Sequence, residues 1–336
     1  MTKKKRLLTG DRPTGALHLG HFVGSLQNRV RLQYEYDTFI MIADAQAITD
    51  NYDNVGRIAA HVYELVCDYV SVGIDPAVSH IFIQSMIPEL FEMTAYFMNL
   101  VTIQRIGHNP TVKLETKQKG FREGVPAGFY LYPMFQVSDI LAFKADVVPV
   151  GYDQAPMVEL TRDVAKKFNA TYKTELLVIP EAIFPVSLQT NLLGLDRNKM
   201  SKSLNNAIYL KDTRDEIVQK VRKMPSDPDR VDYHAPGSPE KVLVFDYLRI
   251  FDPDQEGLDA LVDQYRKGGV MDKTVKERLI EVLDALLVPI REKRASVAED
   301  RKRVESILRE GTKAAREVAG DTLAEIKEVM GLVFPL

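Results

Sequence analysis

The chain of 336 residues contains no tryptophan, only one cysteine, and no apolar run long enough to span a membrane. A single cysteine, Cys67, cannot build a disulfide framework within one chain, and it cannot supply a multi-cysteine zinc or iron–sulfur site. The basic start of the chain, residues 2–6, is followed by too short an apolar stretch for a signal peptide. We therefore expect a protein of the reducing cytoplasm, without a zinc or iron–sulfur centre and without a membrane span.

A strong excess of positive charge is missing as well. There are 44 lysine and arginine residues against 47 aspartate and glutamate residues, for a net charge of -3. Proteins that coat nucleic acid through bulk charge are strongly basic, so any RNA contact must be local. Two candidate stretches, residues 211–223 and 291–303, hold clusters of lysine and arginine. Each is either a basic binding surface or an exposed helix face neutralised by i,i+4 pairs.

Strand-like and helix-like patterns alternate up to about residue 185. Apolar runs at residues 39–43 and 80–84 predict buried parallel strands, and the periodicity of residues 55–72 predicts a helix between them. Such βα alternation predicts an α/β fold with a doubly wound parallel sheet, which binds ligands at the carboxyl ends of its strands. After residue 205 the pattern is mostly helical, and the length suits two domains.

A glycine turn at residues 10–15 joins a short apolar stretch to the start of a helical pattern. A strand, a glycine turn and a helix in this order offer free backbone N–H groups and a positive dipole end to a phosphate. His18 and His21 lie three residues apart, so both can project from one face towards a polyphosphate. The alternative for two histidines at this spacing is a metal site or simple capping.

A second polar segment, Lys199-Met200-Ser201-Lys202-Ser203, follows well downstream. Lysines are compact point charges that bind phosphates, and flanking serines keep such a loop mobile. Taken alone, the segment could be solvated surface. Together with the glycine turn and the two histidines, it indicates a site for ATP.

The two motifs resemble the "HIGH" and "KMSKS" signatures of class I aminoacyl-tRNA synthetases, the first as His-Leu-Gly-His and the second letter for letter. Further similarity to the tryptophanyl-tRNA synthetase family runs along nearly the whole chain, at residues 9–15, 42–49, 132–140, 148–154 and 159–163. The resemblance implies a Rossmann-type catalytic domain with the KMSKS loop, residues 1–205. It also implies a helical anticodon-binding domain, residues 206–336, whose last helix can pack back on the catalytic domain. A homodimer formed through the region of residues 85–145 is implied too.

The reaction that the resemblance implies is activation of L-tryptophan by ATP, followed by transfer to the terminal ribose of tRNA(Trp), with Mg²⁺ carried on the ATP. Our candidates for neutralising the charge that develops on the phosphates are His18, His21, Lys199 and Lys202. The other candidate ATP contacts are Arg12, Thr14, Gly20, Lys113, Gly151, Asp153, Met200 and Ser201. Arg12 replaces a glutamine that is common in the family.

Three polar residues, Tyr132, Gln136 and Asp139, fall at i, i+4 and i+7 of an apolar helical pattern and so share one stripe. An indole nitrogen can only donate a hydrogen bond, and an ionised carboxylate such as Asp139 is its strongest acceptor. A tyrosine hydroxyl could use the same carboxylate. Leu8, however, occupies the position where similar tyrosyl enzymes have a tyrosine, and this favours tryptophan.

The complete predicted tryptophan site consists of Leu8, Gly10, Gln46, Tyr132, Gln136, Asp139, Val148, Val150 and Gln154. Two of these depart from the common family pattern, because the family often has methionine at Gln136 and histidine at Gln46. Three alternatives stay open: a tyrosine–tRNA ligase, a synthetase-like regulatory or binding protein, and more distantly a nucleotidyltransferase. The intact histidines and lysines of both motifs argue against the second, and the full KMSKS loop argues against the third.

Overall fold

The computed structural model describes residues 4–121, 124–184, 192–198, 200 and 204–335. The predicted site residues Lys199, Ser201 and Lys202 lie outside the described residues. Spatial contacts divide the chain into two compact units. Unit 1 consists of Met1–Gly15, Asn28–Pro185 and Asp300–Leu336, and unit 2 consists of Ala16–Gln27 and Val186–Glu299. Each unit is therefore assembled from separated stretches, whereas the sequence prediction cuts the chain once, at residue 205.

A five-stranded parallel sheet forms the centre of unit 1. Its strands are β1 (Arg6–Asp11), β2 (Asp37–Ile42), β3 (Ser79–Ile83), β4 (Val147–Pro149) and β5 (Glu181–Ile183). They lie in the order β3-β2-β1-β4-β5, and every neighbouring pair is parallel. The order reverses between β1 and β4, which is where a doubly wound sheet opens a crevice for ligands. The predicted sheet is confirmed.

The helices of both units follow in chain order. They are α1 (Leu19–His21), α2 (Gln27–Leu32), α3 (Asp44–Ala47), α4 (Val55–Val72), α5 (Glu89–Phe97), α6 (Ile103–Gly107), α7 (Pro110–Lys119), α8 (Ala127–Ala142), α9 (Ala155–Tyr172), α10 (Arg214–Arg222), α11 (Leu243–Phe251), α12 (Gln255–Lys267), α13 (Asp272–Glu299) and α14 (Arg301–Val329). A π-helical turn covers Phe22–Leu26. Across the described part of the chain, no helix is both long and apolar enough to cross a membrane.

The apolar patterns explain these elements. In β2 the side chains from Thr38 to Ile42 are all buried, as expected for a strand covered on both faces. The helix predicted over residues 55–72 is α4, and Gly73 ends it in the left-handed conformation at φ +110°. Glycine reaches this conformation without steric cost, and helices commonly end in this way.

Helix α14 belongs to unit 1, where it packs along the outer edge of β3. The backbone N–H of Ile83 donates to the Thr312 hydroxyl at 3.4 Å. A methyl group placed on Gly311 would lie only 2.0 Å from the carbonyl oxygen of Ile81. The last long helix therefore covers the strand edge that the sheet would otherwise leave open.

Unit 2 is built mainly from α10, α11, α12 and α13. Helix α10 begins with a capping box, in which Thr213 and Glu216 each bind the other's backbone N–H. Both α10 and α11 pack on the long helix α13. The regular elements between residues 204 and 335 are helices. The predicted helical C-terminal region is therefore confirmed.

The approach of Gly311 to β3 gives a test of this packing. Gly311→Ala should lower the free energy of unfolding by about 1–3 kcal/mol, because the added methyl group meets backbone rather than a movable side chain. Gly320→Ala in the same helix is the matched control, since a methyl group there meets nothing within 4 Å. The control should gain about 0.5–1 kcal/mol from helix propensity. Equal effects of the two substitutions in urea unfolding would contradict the close packing.

Candidate active site

A buried ion pair holds the carboxyl end of β1 in unit 1. The Arg29 guanidinium, on α2, donates to the Asp11 carboxylate at 2.5 Å and to the carbonyl oxygen of Gly10 at 3.3 Å. The buried Tyr69 hydroxyl, from α4, donates to the same carboxylate at 2.7 Å. Burial and then the Asp11 charge raise the pKa of Tyr69 well above its usual value, so the phenol stays protonated. Two flanking elements are thus fixed to the strand that leads into the glycine turn.

The predicted residues on and after β1 differ in exposure. Leu8 is buried at 3% exposure, and Gly10 lies so close to β2 that a methyl group on it would be 2.4 Å from the carbonyl oxygen of Met41. In the following turn the Thr14 N–H donates to the Arg12 carbonyl at 2.8 Å. Arg12 is exposed and Thr14 is half-buried. The strand therefore supplies an apolar wall, and the turn supplies polar groups.

A cavity of about 320 Å³ opens where the chain leaves β2 and β3. Two predicted residues, Gln46 and Tyr132, line it. Its other lining residues include Gln84, Phe91, Phe129 and Phe135. Aromatic walls with a few polar groups are typical of a site for a small, largely apolar ligand.

Asp139 lies behind this cavity and is hydrogen-bonded to one of its lining residues. The Gln84 amide nitrogen donates to both Asp139 carboxylate oxygens, at 2.9 and 2.8 Å. The Gln84 amide oxygen accepts the backbone N–H of Gln46 at 3.0 Å. Sequence analysis did not identify Gln84. The available signal was its position directly after β3, at the carboxyl edge where ligand-binding side chains emerge.

Burial dominates the titration of Asp139, which is 1% exposed. Loss of solvation raises the pKa of its carboxyl group to about 7, against the opposing effect of the hydrogen bond from Gln84. The carboxyl group is therefore close to half-ionised at neutral pH, and added donors shift it towards the ionised form.

Tyr132, on α8, turns its hydroxyl to a carboxylate on α7. The hydroxyl donates to Glu115 at 2.7 Å, and burial followed by this hydrogen bond raises the pKa of Tyr132 far above its usual value. The neutral phenol thus serves as a donor to Glu115, a second residue that sequence analysis did not single out. Gln136, one turn further along α8, is half-buried and lies outside the lining of the cavity.

The predicted residues after β4 form a separate polar turn of unit 1. A methyl group on Gly151 would lie 2.7 Å from the Asp153 carboxylate, and the Gln154 amide donates to that carboxylate at 3.3 Å. The hydroxyl of Thr111, on α7, donates to the Asp153 carbonyl at 2.7 Å. Lys113, on the same helix, is exposed. Val148 and Val150 instead pack in or against the apolar cluster that also contains Leu8.

The first motif belongs to unit 2 and is compact. The rings of His18 and His21 lie side by side, with centroids 3.8 Å apart, and the His18 N–H donates to His21 Nδ1 at 3.3 Å. A methyl group on Gly20 would lie 3.0 Å from the His18 ring and 3.2 Å from the Met200 sulfur. Glycine at this position therefore allows the middle of the KMSKS segment to pack directly on the His-Leu-Gly-His motif.

The chain just beyond the KMSKS segment pairs with the same motif. Leu19 N–H donates to the Ile208 carbonyl at 2.9 Å, and Leu210 N–H donates to the Leu17 carbonyl at 3.0 Å. His18 and Tyr209 form the antiparallel bridge between them. The first motif, Met200 and the segment of residues 208–210 therefore lie together in unit 2.

Three cations of the basic stretches predicted as possible RNA surfaces form ion pairs in unit 2. Lys220 contacts Asp212 at 2.5 Å, and the side chains of Arg214 and Arg291 contact Asp284 at 2.9 and 2.6 Å. These pairs join α10 to α13 and the segment before α10. The interpretation as a paired helix surface is thus favoured for these three cations.

Comparison with known proteins gives consistent matches over most of the chain. The model of the family "tRNA synthetases class I (W and Y)" matches residues 1–288. The chain belongs to this family. It is 49% identical to tryptophan–tRNA ligases from Streptococcus pyogenes serotype M3 and from Clostridium longisporum, each match covering 98% of both chains.

Solved structures agree with this assignment. A crystal structure described as Campylobacter jejuni tryptophanyl-tRNA synthetase complexed with ADP and tryptophan is 28% identical, with a TM-score of 0.86 over 97% of this chain and 99% of that one. The Mycoplasma pneumoniae tryptophanyl-tRNA synthetase is 27% identical, with a TM-score of 0.81 over 98% of each chain. The family predicted from the two motifs is confirmed.

The raised pKa of Asp139 predicts how stability depends on pH. The folded-state value of about 7 exceeds the usual value of about 3.9. The folded protein therefore holds a proton that the unfolded chain has released, and this contribution to stability falls as the pH rises from about 4 to about 7. Asp139→Asn should remove that loss. The free energy of unfolding of the variant, relative to the original chain, should rise by up to about 1.4 kcal/mol per pH unit in this window.

Urea unfolding at pH 5, 6, 7 and 8 provides the measurement. Any cost in unfolding free energy from the altered contact with Gln84 is the same at every pH. Such a cost shifts the whole profile of the variant and leaves the slope of the difference between variant and original chain unchanged. Parallel profiles over the whole range would show that the buried carboxyl group does not titrate as described.

Proposed function

We propose that this protein is a tryptophan–tRNA ligase. It activates L-tryptophan with ATP to give tryptophanyl-adenylate and pyrophosphate, and then transfers tryptophan to the 3′-terminal ribose of tRNA(Trp). The observation that carries the proposal is 49% identity to tryptophan–tRNA ligases over 98% of the chain. The buried acceptor Asp139 behind an aromatic cavity supports it.

The proposed tryptophan site uses the cavity of unit 1 and the residues around it. The indole N–H donates to the Asp139 carboxylate, because a buried donor needs a partner and an ionised carboxylate is the strongest one available. Tyr132, with Glu115 as the carboxylate behind it, suits the substrate ammonium group. The apolar and polar surroundings in this proposal are Leu8, Gly10, Gln46, Gln136, Val148, Val150 and Gln154.

Leu8 separates tryptophan from tyrosine in this proposal. It is buried among apolar side chains of the sheet and offers no hydrogen-bonding group. A tyrosine hydroxyl both donates and accepts, so Asp139 alone would leave its acceptor side unused. An indole has no acceptor to satisfy, and the leucine can pack against it.

The proposed ATP site uses the motifs of unit 2. His18, His21, Lys199 and Lys202 neutralise charge on the α-phosphate and on the leaving pyrophosphate, with Mg²⁺ entering as part of the ATP substrate. The other ATP contacts in this proposal rest on the family resemblance alone. They are Arg12, Thr14, Gly20, Lys113, Gly151, Asp153, Met200 and Ser201. A general base is unnecessary, because the attacking carboxylate of tryptophan is already ionised at neutral pH. Catalysis then depends on positioning and on charge stabilisation.

The tRNA partner, the oligomeric state and the location complete the proposal. We assign anticodon contact to the helical region after residue 206 and the reaction to the cytoplasm, where tRNA is charged for translation.

A homodimer through residues 85–145 is supported by exposed apolar side chains in that region. They are Met86, Phe91, Ile103 and Leu114, with exposures of 53%, 39%, 67% and 54%.

Amino-acid-dependent ATP–pyrophosphate exchange tests the proposal directly. The purified chain should exchange with tryptophan, and it should show only background with tyrosine or without an amino acid. Charging of tRNA(Trp) by the same preparation tests the second step. Exchange supported by tyrosine would overturn the argument from Leu8, and no exchange with either amino acid would favour a binding or regulatory role.

Asp139→Asn tests the proposed contact with indole. The amide keeps the size of the side chain but loses the charge-assisted part of the hydrogen bond, which is worth about 1–3 kcal/mol. We expect the KM for tryptophan to rise by roughly 5- to 150-fold, while the KM for ATP stays within about twofold. An unchanged KM for tryptophan would remove Asp139 from this role.

A further inference from the structure

Gln84 joins three elements of unit 1 through one buried amide. It lies directly after β3 and is 2% exposed. Its oxygen accepts the backbone N–H of Gln46 at the start of α3, and its nitrogen donates to Asp139 on α8. It also lines the cavity, and Asp139 lies directly behind it.

The two contacts of Gln84 fix the orientation of its amide. A backbone N–H can only donate, so the group facing Gln46 has to be the amide oxygen. The amide nitrogen is then directed to Asp139, where it lies at 2.9 and 2.8 Å from the two carboxylate oxygens. Rotation of the amide by 180° would place donor against donor at Gln46 and acceptor against acceptor at Asp139.

The Asp139 carboxylate depends on this donor. Within the described part of the chain, Gln84 is the hydrogen-bond donor to both of its oxygens. A carboxylate accepts about four hydrogen bonds, so each oxygen keeps capacity for a further donor. A donor shared by both oxygens restrains the position of the carboxylate and leaves the other lone pairs of each oxygen for another donor.

We propose that Gln84 is a positioning residue that holds Asp139 as an oriented, ionised acceptor and thereby selects an amino-acid substrate whose ring carries an N–H donor. The proposal rests on the proposed function, and it adds a residue that acts through Asp139. Selection of this kind is strong because a substrate without the donor leaves a buried acceptor unpaired.

The charge state of Asp139 supports the geometric argument. Burial raises the pKa of its carboxyl group to about 7, and the hydrogen bond from Gln84 is the influence that lowers it. Without the amide donor, burial acts unopposed, and the protonated form becomes dominant at neutral pH. A protonated carboxyl group is a weaker acceptor than a carboxylate.

Gln84→Met tests the proposal, because methionine has a similar length and no donor. The matched control is Gln33→Met. Gln33 is also a buried glutamine of unit 1, and its amide bonds to the Val30 and Gly73 carbonyls, to Asp75 N–H and to Ser79. It lies outside the cavity lining. Both substitutions remove a satisfied buried amide, but only one removes the donor to Asp139.

The measurement is ATP–pyrophosphate exchange from pH 6 to pH 9 with two substrates, tryptophan and the analogue in which sulfur replaces the indole N–H. For the original chain, kcat/KM should favour tryptophan, and the KM for tryptophan should fall as the pH rises through about 7. In Gln84→Met the preference for tryptophan at pH 7 should drop by roughly 10-fold or more, and the pH at which KM falls should move upward. Gln33→Met should keep both the preference and the pH profile, whatever it does to stability.

Gln84→Glu gives a second test if the methionine variant does not fold. Two buried carboxyl groups at this distance share a proton, and in that form the new group can still donate to Asp139. The KM for tryptophan should then be close to normal at low pH and should worsen as the pH rises, which is opposite to the original chain. A profile that keeps the original direction would overturn the proposal.

The outcomes separate this proposal from the proposed function. Tryptophan-dependent exchange by the original chain, combined with an unchanged substrate preference and pH profile in Gln84→Met, would overturn the role of Gln84 alone. Absence of tryptophan-dependent exchange in the original chain would overturn the proposed function and this proposal with it. Loss of preference in both glutamine variants would mean that packing, rather than the donor to Asp139, is responsible.

Discussion

The contact between Arg29 and Asp11 is the interaction on which the arrangement of unit 1 depends. It joins the carboxyl end of the central strand β1 to α2, and Tyr69 adds α4 to the same carboxylate. A buried ion pair gains little over an apolar contact of the same size, but removing one partner costs about 3–5 kcal/mol because the other charge is left buried. The strand end is therefore held in one position, from which the glycine turn and the neighbouring strand ends are arranged.

Buried polar groups repeat this pattern around the cavity. The amide of Gln84 and the carboxylates of Asp139 and Glu115 each meet a partner from another element. In a low-dielectric interior such networks are strong when complete and costly when one member is missing. The same physical constraint thus gives the unit a defined structure and gives the cavity a defined set of donors and acceptors.

Sequence patterns predicted most of the fold because the relevant signals are local. The helix over residues 55–72 and the strands around residues 39–43 and 80–84 follow from apolar periodicity within each segment. The His-Leu-Gly-His and KMSKS motifs predicted the family because their residues are close in the chain.

What the sequence could not provide is the pairing of distant side chains. Gln84 and Asp139 are 55 positions apart, and Arg29 and Asp11 are 18 positions apart on different elements. A buried glutamine and a surface glutamine look alike in a sequence, so Gln84 carried no signal beyond its place after a strand. The single cut at residue 205 follows the change from alternating to helical patterns, and the possible return of the last helix to the catalytic domain came from the family resemblance, because helical periodicity does not show where a helix packs.

The position of α14 on the outer edge of β3 has a consequence for biosynthesis. The chain emerges from the ribosome with its amino terminus first, so all five strands are synthesised before residues 301–329 are available. Until then β3 presents unpaired backbone groups, which other chains can bind as an extra strand. A nascent chain stopped before residue 300 would have a complete sheet with an open edge, and truncation there should favour aggregation over stable folding of unit 1.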